Sequence, residues 1–276
     1  GGRTARLRSG PYSFDRGPTF FMMPYVLDEI FAAAGRRLAD EVELTRLDPM
    51  YRLLLGRSGD LPLKIDATQD IGEMSRRLAA IDPADGEAFP RFIADNRYKL
   101  RHSESILRHP MRSPLDLFAP STIKDALKVA PVLNPHLSVH ELLGRYFKNP
   151  YSKLAVSFQS KYLGMSPHDC PSLFTILPFI EYEYGIWHPK GGCNALMAAL
   201  SSVATDLGVE IRTSSPVEKV TFAGNRATGV VVAGVEHRYD RVIINADAMW
   251  AMKSLVPAEA RAAAGRKYDD GAVDGR

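Results

Sequence analysis

The sequence lacks the features that define several large classes of protein. Only two of its 276 residues are cysteine, Cys170 and Cys193, and they do not have the spacing of a metal site. A disulfide framework is therefore not expected, and this cysteine usage is typical of a reducing cytoplasm. No apolar run approaches the roughly 18 residues that span a bilayer. The net charge of +3 is small and the arginines are dispersed, which argues against a nucleic-acid partner.

What is present is an ordinary globular composition, with 45% hydrophobic and 24% charged residues. Alternating residues on either side of Ser9-Gly10-Pro11 predict a β-hairpin over about residues 4–15. A helix is expected from Pro24 to Gly35. Two strands are predicted next, at residues 51–55 and 61–65.

Residues 66–184 form a predicted block of helices. Apolar residues recur there at helical spacing between Phe89 and Leu107. Ser138 and Glu141 have the spacing of a capping box, and Asn149-Pro150 supplies a cap and a first-turn proline. This block separates two segments that are richer in strands.

The last segment begins near residue 185 and mixes both kinds of element. A helix is predicted from Asn194 to Gly208, followed by a short strand at Val209–Arg212. Val217–Phe222 and Ala227–Val232 are predicted to pair across a Gly-Asn turn, and Val242–Ile244 to form a buried strand. The pattern indicates an α/β fold, with one discontinuous domain that holds a helical insertion.

Two common kinds of site are not supported. His136 and His140 have the spacing of two metal ligands on a helix, but the capping box places His136 outside the helix and no third ligand is near. We therefore predict no metal site. Ser201-Ser202 lacks the G-x-S-x-G context of a nucleophile.

The beginning of the chain offers a better candidate site. Gly1, Gly2 and Arg3 are followed by "GPYSFDRGPT", which joins a hairpin to an acidic residue, a glycine and a threonine hydroxyl. Such a run lets main-chain groups approach a planar or phosphorylated cofactor closely.

Five blocks in order resemble the bacterial-type phytoene desaturases, within the FAD-dependent amine-oxidase-like superfamily. They are "GGR" at 1–3, "FDRGPT" at 14–19, "FQSKYLGMSP" at 158–167, "YGIWHPKGGCNAL" at 184–196 and "VIINAD" at 242–247. The family's G-x-G-x-x-G unit and its last glycine-rich flavin motif are not among them. We therefore expect an internal fragment that alone binds FAD weakly and is inactive.

The resemblance implies a fold and three domains. Residues 1–65 would be part of a Rossmann-like FAD-binding domain of the glutathione-reductase type. Residues 66–184 would form a helical domain that binds substrate and contacts the membrane. Residues 185–276 would return to the FAD-binding domain, without its C-terminal part.

The resemblance also implies the cofactor, FAD, and the residues that hold it. Gly1, Gly2 and Arg3 would lie along the pyrophosphate, and Asp15, Gly17, Pro18 and Thr19 would border the flavin ring. The backbone of Val217 would read the adenine, although a position in the core of a strand explains this residue equally well. Asp247 would return the chain to the cofactor domain.

The implied activity is desaturation of a carotenoid precursor such as phytoene by hydride transfer to flavin. Asp125 and Lys128, one helical turn apart, match a family stretch with an acidic and a basic residue that would handle the proton. The family typically has Arg where Lys128 stands, and a simple exposed ion pair is the alternative.

The substrate would be a lipophilic polyene. The apolar run from Leu173 to Ile180, followed by Tyr182, Tyr184 and Trp187, could line its tunnel or serve only as packing. A cytoplasmic protein held peripherally at a membrane is therefore expected. The alternatives are an isoprenoid saturase, a carotenoid oxygenase, an amine oxidase or a non-catalytic lipid-binding relative.

Overall fold

The computed structural model describes residues 2–56, 62–110, 116, 119–120 and 122–263. The chain divides into two compact units, Gly1–Leu207 and Gly208–Arg276. Each unit is described below by itself.

The strands of the first unit form three separate antiparallel pairs. They are β1 (Arg6–Ser9) with β2 (Tyr12–Asp15), β3 (Leu44–Arg46) with β6 (Trp187–Pro189), and β4 (Tyr51–Leu55) with β5 (Leu63–Ala67). The predicted hairpin is confirmed, and Gly10 takes a positive φ of 57° at its turn. Strand β5 begins and ends two residues later than the strand that was predicted at residues 61–65.

The pair β3–β6 joins segments that lie far apart in the sequence. Backbone bonds between Phe21 and Trp187, of 2.7 and 2.8 Å, extend this contact beyond the strands. The chain before the helical block is therefore fixed directly to the chain after it.

Helices are the commonest kind of element in the described part of the first unit. They are α1 (Pro24–Ala33), α2 (Leu38–Glu41), α3 (Ile71–Ala79), α4 (Pro83–Arg108), α5 (Ile123–Leu133), α6 (Val139–Leu143), α7 (Pro150–Ala155), α8 (Ile176–Tyr184) and α9 (Asn194–Asp206). Their starts follow local chemistry. Ser138 and Glu141 form both bonds of the predicted capping box, and Asn149 caps α7 ahead of Pro150.

Two hydrophobic cores hold this unit together. The larger one joins β4, β5 and the helical block around fully buried aromatic rings, among them Phe89, Phe92 and Phe179. The smaller core packs α1 against α9 through Phe31, Leu196 and Val203. Burial of such side chains from water stabilises each by about 1.5 to 3 kcal/mol.

The second unit contains a three-stranded antiparallel sheet, β7 (Val217–Ala223), β8 (Arg226–Val232) and β9 (Val235–Arg238). The predicted pairing of β7 with β8 is confirmed. Helices α10 (Ala248–Ser254) and α11 (Ala258–Ala263) follow, and Val220 packs with Ala251 and Leu255.

Two strand predictions for this unit are wrong. Val209–Arg212 is irregular, and its apolar residues Val209 and Ile211 are about half exposed, at 51% and 49%. Val242–Ile244 is neither a strand nor buried, since Ile243 is 92% exposed. A strand requires a neighbour for its backbone groups, and no described residue pairs with either segment.

Candidate functional site

A glycine loop between β6 and α9 contacts the acidic end of the first hairpin. Gly191 and Gly192 have φ angles of 87° and 80°, in the region that disfavours side chains. The Cys193 amide donates to Asp15 Oδ2 at 3.3 Å, and a Cβ added to Gly192 would overlap the Asp15 carboxylate. Asp15 therefore fits a backbone cradle that only glycine at 192 allows.

The N-terminal turn packs on the same hairpin. Residues 2–4 form a 3-10 turn, and a Cβ on Gly17 would overlap the Arg3 carbonyl. The Arg6 guanidinium donates to the Gly191 carbonyl, and Asn194 Nδ2 donates to the Thr4 carbonyl at 3.1 Å. Three of the sequence blocks that carried the resemblance thus converge on one part of the first unit.

Thr19 lies where this cluster meets β6. Its carbonyl is 3.0 Å from His188 Nδ1, and the next carbonyl, of Phe20, is 3.7 Å from Cys193 Sγ. Pro18 is exposed beside it. The structure therefore brings Gly2, Arg3, Asp15, Gly17 and Thr19 together. Gly1 lies outside the described residues.

The cluster fits a phosphorylated, planar cofactor. Gly2, Arg3, Gly17 and Thr19 are all exposed, so their backbone can be approached. Within the described part of the chain the Arg3 guanidinium has no hydrogen-bond or ion-pair partner. Such a group is suited to charge-assisted bonds with phosphate oxygens. Arg3 would hold the pyrophosphate of FAD, and Gly2, whose Cβ position is open, would admit its close approach.

The other two residues that were predicted to bind the cofactor belong to the second unit. Val217 is the first residue of β7, and its side chain is 37% exposed. Asp247 is the N-cap of α10, where Oδ1 accepts a bond from the Trp250 amide at 2.9 Å. The capping role of Asp247 was not predicted, although Asp before a helix is a recognised start signal.

Asp125 and Lys128 share a face of α5, as predicted, with Lys128 Nζ 3.9 Å from Asp125 Oδ1. Asp125 is held more closely from α4, because Ser105 Oγ donates to Oδ2 at 2.7 Å and His102 Nδ1 lies 3.3 Å from Oδ1. The bonds from Ser105 and His102 lower the pKa of Asp125 below its ordinary value. Asp125 is therefore an ionised carboxylate that links α4 to α5.

A hydrophobic groove of about 450 Å³ lies between α4, α5 and residues 173–176. Its lining is apolar apart from Ser103, and we call it the apolar groove. The lining residues are Ser103, Ile106, Leu107, Ile123, Ala126, Leu127, Val129, Ala130, Leu133, Leu173, Phe174 and Ile176.

The apolar groove uses only part of the predicted tunnel lining. Leu173, Phe174 and Ile176 line it, whereas Phe179 is fully buried in the larger core and Ile180 packs there as well. For Phe179 and Ile180, packing is the correct interpretation. The proline and helical turn that follow Ile176 direct these later side chains into the core.

A buried carboxylate in the larger core was missed by sequence analysis. Glu181, on α8, is fully buried, and its oxygens accept bonds from Tyr51 Oη, Tyr162 Oη and Gln159 Nε2, each at 2.8 Å. These partners come from distant parts of the chain. No local spacing could therefore have revealed the cluster.

Burial dominates the electrostatics of this cluster. Desolvation raises the pKa of Glu181 above its ordinary value, although the three donors oppose that shift. The Tyr162 ring packs edge to face on Phe20 at 5.9 Å. Tyr162 therefore joins the buried Glu181 carboxylate to Phe20, the residue that follows Thr19.

The histidines do not form a metal centre in the described residues, which hold no group of three candidate ligands. His140 stacks on His168 at 4.1 Å. Desolvation and the neighbouring His168 lower the pKa of His140. Cys170 and Cys193 are free and buried. The sequence had led us to expect no disulfide framework.

The chain matches the family described as "Flavin containing amine oxidoreductase" over residues 1–271. It belongs to that family, and the expected cofactor, FAD, is the flavin such proteins carry.

Its relatives within the family are carotenoid desaturases, which confirms the resemblance. The chain is 38% identical over 257 residues to a 4,4'-diapophytoene desaturase (4,4'-diapolycopene-forming) of a Methylomonas species, covering 93% of this chain and 48% of that protein. It is 34% identical over 267 residues to the all-trans-zeta-carotene desaturase of Myxococcus xanthus, covering 96% and 49%. The chain therefore spans about half the length of these relatives.

Among solved structures, putrescine oxidase bound to putrescine has a TM-score of 0.53 at 13% sequence identity, and the match covers 93% of this chain and 52% of that chain. At this identity the likeness concerns the fold alone. It supports the predicted α/β fold class.

Proposed function

We propose that the chain is part of an FAD-dependent carotenoid desaturase, which converts CH2–CH2 in a polyene precursor such as phytoene to CH=CH. The apolar groove is the observation that carries this proposal. Ligand pockets of about 300 to 1,000 Å³ are usual, and most contain several polar groups that orient the ligand. This groove, at about 450 Å³, offers a hydrocarbon surface along almost its whole length.

The substrate class follows from what such a groove can recognise. A hydrocarbon chain gains free energy from apolar burial, about 25 cal/mol per Å². An amine would require a carboxylate or an aromatic cage, and the groove lining contains neither a carboxylate nor more than one aromatic ring, Phe174. A polyene precursor fits this lining better than a small amine.

The residues of this chain would bind and orient rather than carry out the oxidation. FAD, when bound, supplies the hydride acceptor that no protein side chain provides. Arg3 would pair with its pyrophosphate, while Gly2 keeps the backbone open to it, and Gly17 would border the flavin ring. Asp15, held by the Cys193 amide, would fix the hairpin beside the flavin ring.

Each desaturation also releases a proton from the carbon next to the one that loses hydride. We assign its acceptance to Asp125, with Lys128 as the neighbouring charge, on the strength of the resemblance. Ile123 and Ala126, on either side of Asp125 in sequence, line the groove. The lowered pKa of Asp125 makes its carboxylate a weak base, so this role depends on the substrate carbon being strongly activated.

We also propose peripheral contact with a membrane, because a polyene substrate is dissolved in lipid. Leu107 and Leu127 at the groove are 68% and 69% exposed, and the exposed Lys124 and Lys128 lie on the same helix as Leu127. Exposed apolar residues beside lysines favour an anionic bilayer surface. None of the helices in the described ranges could span a membrane.

The domain division at residues 65 and 184 is part of the same proposal. The helical segment 66–184 contributes every residue of the apolar groove, and the segments around it contribute Arg3, Asp15 and the glycine loop. One segment would bind substrate and the others cofactor.

The test uses the full-length gene product that contains this chain, in a host supplied with phytoene. We expect the wild-type protein to yield more unsaturated, coloured products, and Leu127→Gln to lower that yield about tenfold. Leu154→Gln is the matched control, because Leu154 is 42% exposed and lies outside the groove. A flavin-free protein, or equal yields from the two variants, would refute the proposal.

One observation favours an amine oxidase as the second candidate. The rings of Tyr25 and Tyr184 lie 5.0 Å apart, and Trp187 Nε1 donates to the Tyr184 carbonyl at 2.9 Å. Two tyrosines of this kind could flank an amine. A panel of polyenes and amines, read by product spectra and peroxide release, distinguishes the two activities.

A further inference from the structure

The apolar groove has a polar end that the desaturation of a hydrocarbon does not use. Ser103 is the one polar residue of its lining and is 7% exposed. Its hydroxyl makes no hydrogen bond to any residue that the structure describes. Because Ser103 lines the groove, its hydroxyl is available to a polar group of a ligand bound there.

A buried lysine lies one helical turn from this hydroxyl. Lys99 precedes Ser103 by four residues in α4, so the two side chains share a face of the helix. Lys99 is 2% exposed, and its ammonium donates to Thr175 Oγ1 at 3.2 Å. Thr175 lies between Phe174 and Ile176, which both line the groove.

The ammonium of Lys99 is poorly compensated. Thr175 is its one hydrogen-bond partner in the described ranges, and Thr175 itself donates to Asn96 Oδ1 at 2.8 Å. No carboxylate of the described residues lies within ion-pair distance of Lys99 Nζ. A buried cation without an anion is strongly unfavourable, and a ligand carboxylate would remove that penalty.

We propose that the apolar groove binds a long-chain carboxylate, with the hydrocarbon chain in the groove and the carboxylate bonded to Lys99 Nζ and Ser103 Oγ. The chemistry is that of a fatty-acid-like ligand, which has one charged end and an otherwise apolar body. Burial lowers the pKa of Lys99 to about 8, in keeping with an ammonium that lacks its counter-ion.

This ligand differs from a phytoene-like hydrocarbon, which has no charged end. The proposal rests on the same groove as the proposed function but not on desaturation. A long-chain carboxylate would compete with a polyene for the groove, and its binding can be measured without flavin or turnover.

The experiment compares palmitate with methyl palmitate by displacement of a fluorescent apolar probe from the purified chain at neutral pH. We expect palmitate to bind at least about tenfold more tightly than the ester, because only the acid can pair with the ammonium. Retinoate in place of palmitate distinguishes a polyene carboxylate from a saturated one.

Two lysine variants locate the effect. Lys99→Met retains the length of the side chain without its charge, and we expect it to bind palmitate and the ester equally. Lys124→Met changes an exposed lysine of α5 and should retain the preference. Unchanged circular dichroism shows that each variant folds. Equal binding of acid and ester by the wild type, or a preference retained in Lys99→Met, would overturn the proposal.

Discussion

Gly192 and Asp15 are packed so closely that the glycine has no room for a side chain. Gly192 takes a φ of 80°, and a Cβ at this residue would overlap both carboxylate oxygens of Asp15. The same carboxylate accepts a hydrogen bond from the Cys193 amide. The first hairpin is therefore fixed to the start of α9 through backbone geometry, at the point where Gly2, Arg3, Gly17 and Thr19 come together.

Gly192→Ala should lower the free energy of unfolding by about 3 kcal/mol. A side chain in the left-handed region costs about 1 to 2 kcal/mol, and the overlap with Asp15 adds about 1 to 3 kcal/mol. Gly10→Ala is the control, because Gly10 has a φ of 57° but open space around its Cβ. Urea titration of both variants separates the two contributions.

If the two alanine variants lost the same stability, the contact between Gly192 and Asp15 would contribute nothing. In that case the glycine loop would be required for its conformation alone. We would then expect the Gly192→Ala and Gly10→Ala variants of the full-length protein to have the same affinity for flavin.

Local chemistry explains why much of the fold could be predicted. The caps at Ser138 and Asn149 and the turn at Gly10 each depend on residues within four positions of one another. Backbone conformation responds directly to such short-range contacts. The helical block, the first hairpin and the pairing of β7 with β8 were therefore expected from the sequence. Strands β4 and β5 were expected too, with a shift of two residues at β5.

Contacts between distant residues explain what could not be predicted. Glu181 meets Tyr51 only because α8 packs on β4, and Lys99 meets Thr175 only because α4 packs on the segment before α8. The apolar run Val242–Ile244 has the composition of a buried strand, yet strand formation depends on a partner that its own residues do not specify. A sequence pattern indicates that a segment is suited to burial, but it does not identify the distant segment that would pack against it.

Glu181→Gln should change how stability depends on pH. The pKa of Glu181 is raised above 4.5 by burial, so its contribution to stability is complete below pH 4.5 and is lost as the pH rises through the folded-state value. We expect the wild type to exceed Glu181→Gln by about 1 to 3 kcal/mol at pH about 5 and by less at pH about 7. Denaturant titrations at both pH values measure this difference.

Glu183→Gln provides the control on the same helix. Its carboxylate pairs with Arg97 at 2.6 Å and lies nearer the surface. This variant leaves the hydrogen bonds of Glu181 in place and should keep the pH dependence that Glu181 contributes to the wild type. A Glu181→Gln protein with that same dependence would show that Glu181 does not titrate differently on folding.

Asp125→Asn and Lys128→Met test whether this pair has a structural or a chemical role. Asp125 is bonded to Ser105 and His102, whereas Lys128 is 3.9 Å away and 54% exposed. We expect Asp125→Asn to lower the melting temperature more than Lys128→Met does, since it alone removes the link between α4 and α5. In the full-length enzyme, a proton-handling role predicts that both variants lower kcat.

Unchanged turnover in Lys128→Met, together with an unchanged melting temperature, would identify the pair as a surface ion pair. The pH dependence of stability provides a further check on Asp125. Its pKa is lowered below 3.8, so its contribution is present above pH 3.8 and is lost as the pH falls through the folded-state value. Asp125→Asn should abolish that loss in acid.

Lys99→Met should remove a rise in stability at alkaline pH. Burial lowers the pKa of Lys99 from 10.5 to about 8, although Asp95 opposes this shift. The unfolded chain binds the proton of Lys99 more tightly than the folded chain does. The loss of stability caused by the buried ammonium is therefore complete below pH about 8 and disappears as the pH approaches 10.5. We expect Lys99→Met to be more stable than the wild type by up to about 3 kcal/mol at neutral pH, with the gap closing toward pH about 10. Lys124→Met leaves Lys99 in place and should keep the rise in stability at alkaline pH that Lys99 gives the wild type. A gap independent of pH would mean that the pKa of Lys99 is the same in the folded and the unfolded chain, and the ammonium would then carry no desolvation penalty for a ligand carboxylate to relieve.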